Sequence, residues 1–168
     1  MHRTLTIAVL ALTFGSTVLF ATDKPARTAA DVLGGDAVVK TMRTADRVVV
    51  YRLKDQTTRD KPEDYAAKTG PLQVEAQLAR QLAAVVTKYE TYDREVAPAC
   101  EPVFGMRTTF SAGDSTVDVV YCYACNLLTV YHNGKVVGDG YFAPGRKELV
   151  ALAQKLLPED KDIQALKE

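Results

Sequence analysis

Three cysteines are the groups in this chain whose type and spacing could do chemistry: Cys100, then Cys122 and Cys125 in the run Cys-Tyr-Ala-Cys. Thiols placed like this can close a disulfide, hold a metal ion or cycle as a redox pair. Together with His132 they would supply three thiolates and one imidazole, the donor set of a closed zinc centre.

Each chemistry asks for a different scaffold. A thiol oxidoreductase sets its CxxC at the start of a helix, where the macrodipole lowers the thiol pKa. Here Leu127, Leu128, Thr129, Val130 and Tyr131 follow instead, a strand-like composition. Covalent haem attachment needs C-x-x-C-H, and Asn126 stands where that histidine belongs. A single CxxC is half of the usual zinc spacing, and Asn133-Gly134 directly after His132 puts that imidazole beside a hairpin tip. In an oxidising compartment a disulfide is the default. The expectation is one structural bridge, Cys100 to Cys125 or Cys100 to Cys122, with one buried free thiol. Zinc or another thiophilic metal on Cys100, Cys122, Cys125 and His132 is the alternative, and no other cofactor is assigned.

Other catalytic patterns are thin. The sequence has no G-x-S-x-G, phosphate-binding glycine loop, H-E-x-x-H or dinucleotide fingerprint. Ser111 and Ser115 would have to share His132 as their base, which argues against a serine triad. Asp114 and Asp118 read as turn and edge residues, and Tyr121, Tyr123, Tyr131 and Tyr141 as sheet packing ahead of a ligand-stacking surface. No catalytic residue is assigned.

The compartment is read from residues 1–21. A short basic start (His2, Arg3) precedes an apolar run ending at Ala21, the layout of a secretory signal peptide. Cleavage is expected after Ala21, with retention as an uncleaved anchor as the alternative, since Leu19 is larger than such a site prefers. The protein is therefore expected to be extracytoplasmic, periplasmic or secreted, with no membrane span in its mature part. Lys plus Arg and Asp plus Glu number 21 each. Nothing in that balance predicts nucleic acid or an anionic membrane as partner, and a protein or small ligand is the kind of partner left open.

The elements that must position the cysteines come next. Residues 22–35 read as a loose leader and 36–168 as a single domain. Asp36 can cap a short helix carrying Val38, Val39 and Met42, and residues 46–53 are β-branched and aromatic enough for a strand. Residues 54–70 carry many charges and read as a long surface insertion, followed by a short edge strand over 70–74. Leu78, Leu82, Val85, Val86 and Tyr89 recur at helical spacing over 75–89. From Val103 the period switches to two, with hairpin turns at Gly113-Asp114 and Asn133-Gly134. An amphipathic helix after Pro144 ends at Pro158, and a short helical turn covers 160–166. The fold class expected is α+β, an antiparallel β-meander of about four to five strands packed by two to three helices on one face.

That layout constrains the sulfurs. In one extended strand, Cys122 and Cys125 would sit ~10 Å apart, beyond the ~7 Å a disulfide allows. An unbroken strand over 115–132 would also exceed the usual length, so a bend near residues 123–126 is expected. Pairing through the Gly113-Asp114 hairpin opposes residues whose numbers sum to roughly 226 or 227, which brings Cys100 beside Cys125 or Asn126.

The stretch from Cys100 onward, with Cys-x-Pro-x-x-Gly, Val-Asp-Val-Val-Tyr-Cys-Tyr-Ala-Cys-Asn, Gly-Tyr-Phe-Ala-Pro-Gly-Arg and a leucine-rich helix ending in Pro, resembles uncharacterised exported bacterial proteins of unknown function. The resemblance implies export and a domain built around the three cysteines, and it brings no activity and no catalytic residue. The function expected is that of an exported binding or structural domain whose cysteine cluster stabilises the sheet. The alternative is a metal-binding or thiol-redox protein using Cys100, Cys122, Cys125 and His132.

Overall fold

The computed structural model describes residues 28–96 and 99–168. These form one antiparallel sheet of six strands: β1 Arg47–Gln56, β2 Ala67–Gln73, β3 Phe104–Ala112, β4 Ser115–Cys122, β5 Leu127–His132 and β6 Lys135–Tyr141, in the order β2-β1-β3-β4-β5-β6. Among the described residues are also five α-helices: α1 Ala30–Leu33, α2 Asp36–Arg43, α3 Ala76–Val86, α4 Arg146–Leu156 and α5 Lys161–Gln164. The fold is α+β as expected, with more strands than expected. The difference arises in the charged stretch. Residues 54–56 prolong β1, and β2 begins well before position 70 to pair back onto it. Every residue of β2 is exposed, so this edge strand needs no apolar alternation and its sequence shows none. The sheet is a meander from β3 to β6, but the chain passes through α3 before β3 returns to β1 on the side away from β2.

Strand periodicity divides the sheet into two faces. Val48, Val50, Met106, Phe110, Val117, Val119, Tyr121, Leu128 and Val130 point toward the helices and share a core with Val38, Met42, Leu82, Val86, Leu149, Val150 and Ala153. This is the single helix-packed face expected. The α3 helix starts where the Glu75 carboxylate accepts the Gln77 and Leu78 N–H groups. It stops at Val86, short of Tyr89, and a single turn of 3₁₀ helix over Tyr89–Thr91 reverses the chain. The Tyr92 hydroxyl then donates to the Val86 carbonyl at 2.6 Å, satisfying a helix-end acceptor. Pro158 lies beyond α4, and the Asp160 carboxylate caps α5.

The other face carries a smaller cluster of Leu53, Tyr65, Phe104, Val120, Cys122, Cys125 and Tyr131. Part of its cover comes from the expected surface insertion. Pro62 and Tyr65 are buried, and the Tyr65 hydroxyl accepts the Arg59 N–H (3.0 Å) and meets the Tyr131 hydroxyl (3.0 Å), which donates to the Arg59 carbonyl (2.7 Å). Two apolar anchors among many charges leave no periodic trace, which is why the stretch reads as surface.

The signal-peptide reading of residues 1–21 falls outside the described residues, as do positions 22–27 of the leader. The rest of that leader is packed, against expectation. Leu33 is fully buried, and a Cβ added at Gly138 on β6 would collide with the Val32 carbonyl oxygen and Leu33 carbonyl carbon. The close approach depends on a glycine about a hundred residues away, so residues 28–35 show no sign of it. Among the described residues, no helix is long and apolar enough to cross a membrane.

Candidate functional site

The cysteines gather at one end of the sheet. Cys122 closes β4 opposite Leu127, and the four residues between them form a tight turn in which Asn126 takes a positive φ of 55°. This is the expected bend. Asparagine tolerates the left-handed region through its short polar side chain. The Arg146 guanidinium, at the first position of α4, donates to the Tyr123 carbonyl and the Asn126 Oδ1, both at 2.5 Å. One cation therefore holds the whole turn. The sequence carried one faint signal for it: an arginine at a helix start opposes the macrodipole, a local conflict that a tertiary contact resolves.

Cys100 and Cys125 are bridged, with Cα atoms 6.1 Å apart, inside the range a disulfide spans. The hairpin register that predicted this neighbourhood holds from Met106 with Tyr121 to Ala112 with Ser115. Cys122 is the free thiol and is fully buried, and its sulfur accepts the Cys125 N–H at 3.4 Å. Cys100 lies on an exposed stretch just before β3. As paired, Cys100 and Cys125 have no thiolate to offer a metal ion.

His132 is elsewhere. It pairs with Val117, five residues along β5 from the Cys122–Leu127 pair, so ~16 Å of strand separates it from the cysteine end. It also lies toward the helices, whereas Cys122 faces the smaller cluster. The structure does not bring the four proposed metal ligands together. His132 Nε2 instead lies 3.0 Å from the Ser115 hydroxyl, which lies 2.8 Å from the Thr41 hydroxyl of α2. Thr41 donates its only proton to the Ala37 carbonyl at 2.9 Å, so it must accept from Ser115. Ser115 has then spent its own proton and must accept from a protonated Nε2. This direction is the reverse of a nucleophile and its general base. The contact locks α2 to two hairpin ends. Sequence reasoning paired both Ser111 and Ser115 with this histidine. Only Ser115 lies on the same face, a distinction that needed the β4–β5 register.

Two buried charge clusters were not foreseen. Arg52, 5% exposed, donates to the Leu53 and Gly105 carbonyls and to Asp55, Asp160 and Asp162, joining the sheet to the α4–α5 corner. Burial opposes the Arg52 charge, but the surrounding carboxylates outweigh it and raise its pKa. On the other face, burial pushes the Asp118 carboxyl above its usual range, although the Thr109 hydroxyl and the Arg107 charge pull it back. Arg107 also lies 4.0 Å over the Tyr51 ring and donates to the Pro62 carbonyl, which fastens the covering loop. A charged residue in a strand reads as an exposed position until the packing partner is known. Between β2 and the α4–α5 corner lies an open groove of about 660 Å³, lined by Lys68, Thr69, Leu72, Leu157 and Pro158 with Asp160 at its base. Tyr121, Tyr123 and Tyr131 are buried, so their rings pack the sheet, as the first of the two sequence readings has it.

No protein-family model matches the chain, and no curated protein or solved structure is significantly similar to it.

Proposed function

We propose that this protein is an exported, non-catalytic α+β domain that acts by binding or as a structural part, with the Cys100–Cys125 bridge stapling the end of its sheet. The observation that carries the reading is how the reactive groups are used. Two cysteines bond to each other, His132 donates into the Ser115–Thr41 chain, and Arg52 and Arg107 are spent on fastening α5 and the covering loop. Groups committed to internal bonds hold a surface in shape rather than transform a substrate. The paired cysteines fit an oxidising compartment and so favour a periplasmic or secreted location. The groove beside β2, with Leu72 and Lys68 on its rim, supports a small-ligand or peptide partner over a polyanion, because its lysines alternate with carboxylates.

Intact mass and metal content of the exported protein test this reading, with thiols alkylated in denaturant before and after reduction. The expected result is one linked pair, one free cysteine and no bound metal. Three free thiols with about one equivalent of metal would overturn it and move the function to the cysteines.

A further inference from the structure

The Cys100–Cys125 bridge does not stand alone. A third sulfur, Cys122, ends β4 just before the turn that carries Cys125, and both lie in the same buried cluster. The Cys125 N–H points at that sulfur at 3.4 Å, so the turn already folds the two residues toward each other and aims a donor at the atom that would carry charge. Arg146 holds the turn from both ends, which keeps Cys122 and Cys125 together whatever Cys100 does. Cys100, in contrast, is exposed and sits on a stretch outside any strand.

We infer that the cluster is a thiol–disulfide exchange site, in which Cys122 displaces Cys100 from Cys125. The Cys122 thiol loses its proton, its sulfur attacks Cys125 Sγ, the Cys122–Cys125 bond forms and the Cys100–Cys125 bond breaks. Cys100 leaves as a thiolate that takes up the proton. One disulfide is exchanged for another, so no oxidant or reductant is consumed. The disulfide moves from a link spanning 25 residues to one within the Cys-x-x-Cys turn, and the exposed partner becomes a surface thiol. The chemical class such a sulfur takes is a soft electrophile or the disulfide of another chain. This inference rests on the Cys100–Cys125 bridge of the proposed function and adds reactivity to it.

The test uses the full folded chain with iodoacetamide as probe. A sample quenched in acid at time zero is mapped first by mass spectrometry without reduction. A linked Cys100–Cys125 peptide there is the precondition, and its absence would count against the bridge itself. Native protein is then held with iodoacetamide at about pH 8, near the ordinary pKa of a free thiol. The expected product carries the alkyl group on Cys100 and a Cys122–Cys125 link, and Cys122→Ala stays unlabelled with its original bridge. Alkylation of Cys122 with the Cys100–Cys125 link intact, or no alkylation of a chain that remains folded by circular dichroism, would overturn the exchange while leaving the staple standing.

Discussion

Reducing the Cys100–Cys125 bridge should cost a calculable amount of stability, provided Cys122 cannot substitute for the lost partner. The clean background is therefore Cys122→Ala, compared with itself oxidised and reduced. The bridge spans 25 residues. Chain-entropy loss for a loop of that length gives about 3.5 kcal/mol at room temperature. Cys100 is exposed, so loop entropy dominates over packing in this case. A change of that size shifts the folding equilibrium on the order of 300-fold. For a domain of this length it lowers the melting midpoint by roughly 7–14 °C. Urea unfolding followed by circular dichroism, with and without reductant, reads the difference directly, and the midpoint should fall with little change in slope. Oxidised and reduced forms melting within about 2 °C of each other would refute the reasoning, because the loop would then be closed in the unfolded chain by something other than the bridge.

Four further outcomes follow from the packing. Arg52→Met should destabilise by about 2–3 kcal/mol in urea, because the Gly105 and Leu53 carbonyls lose their donor, while the mostly exposed Asp55 and Asp162 can rehydrate. Burial raises the Asp160 carboxyl, but the Ile163 N–H and the Arg52 charge outweigh that and hold it below its usual value. The unfolded chain then binds this proton first. Stability should fall as pH drops from about 4 through the lower folded value, and Asp160→Asn should flatten that fall in acid urea titrations. Tyr65→Phe leaves the Arg59 N–H and the Tyr131 hydroxyl short of a partner, for a loss of about 1–2 kcal/mol and faster tryptic cleavage at Arg59; unchanged cleavage would mean the loop is held by Pro62 and Arg107 alone. Gly138→Ala should cost about 2 kcal/mol by forcing α1 off β6, visible as lost hydrogen-exchange protection over residues 30–35.

Much of this architecture was legible in the residues. The period-two runs after Val103, the Asn133-Gly134 turn with positive φ at both positions, and the stripe along α3 are local signals with local causes, and the structure realises each of them. The two-residue hairpin turn at Gly113-Asp114 fixes the pairing as far as Met106 with Tyr121, which places the ends of β3 and β4, and so the cysteines that flank them, at one end of the sheet. The same local reasoning failed on residues 54–66, where two buried anchors amid charges carry no period, and on the leader, whose packing is written in the glycines of β6.

The split has a physical basis. Residue type and spacing by themselves pointed to an α+β chain, to a bend near residues 123–126, and to Cys100 lying near Cys125 or Asn126, with its bridging partner left as Cys125 or Cys122. These depend on steric preferences and pairing arithmetic that act over a few residues or one hairpin. Only the tertiary structure decided that His132 sits at the far end and on the other face, that its proton points toward Ser115, and that Arg146 grips the cysteine turn. Each of those depends on which face a side chain takes and on what a distant element brings to meet it, and charged and polar side chains carry no periodic mark of the partner that will bury them.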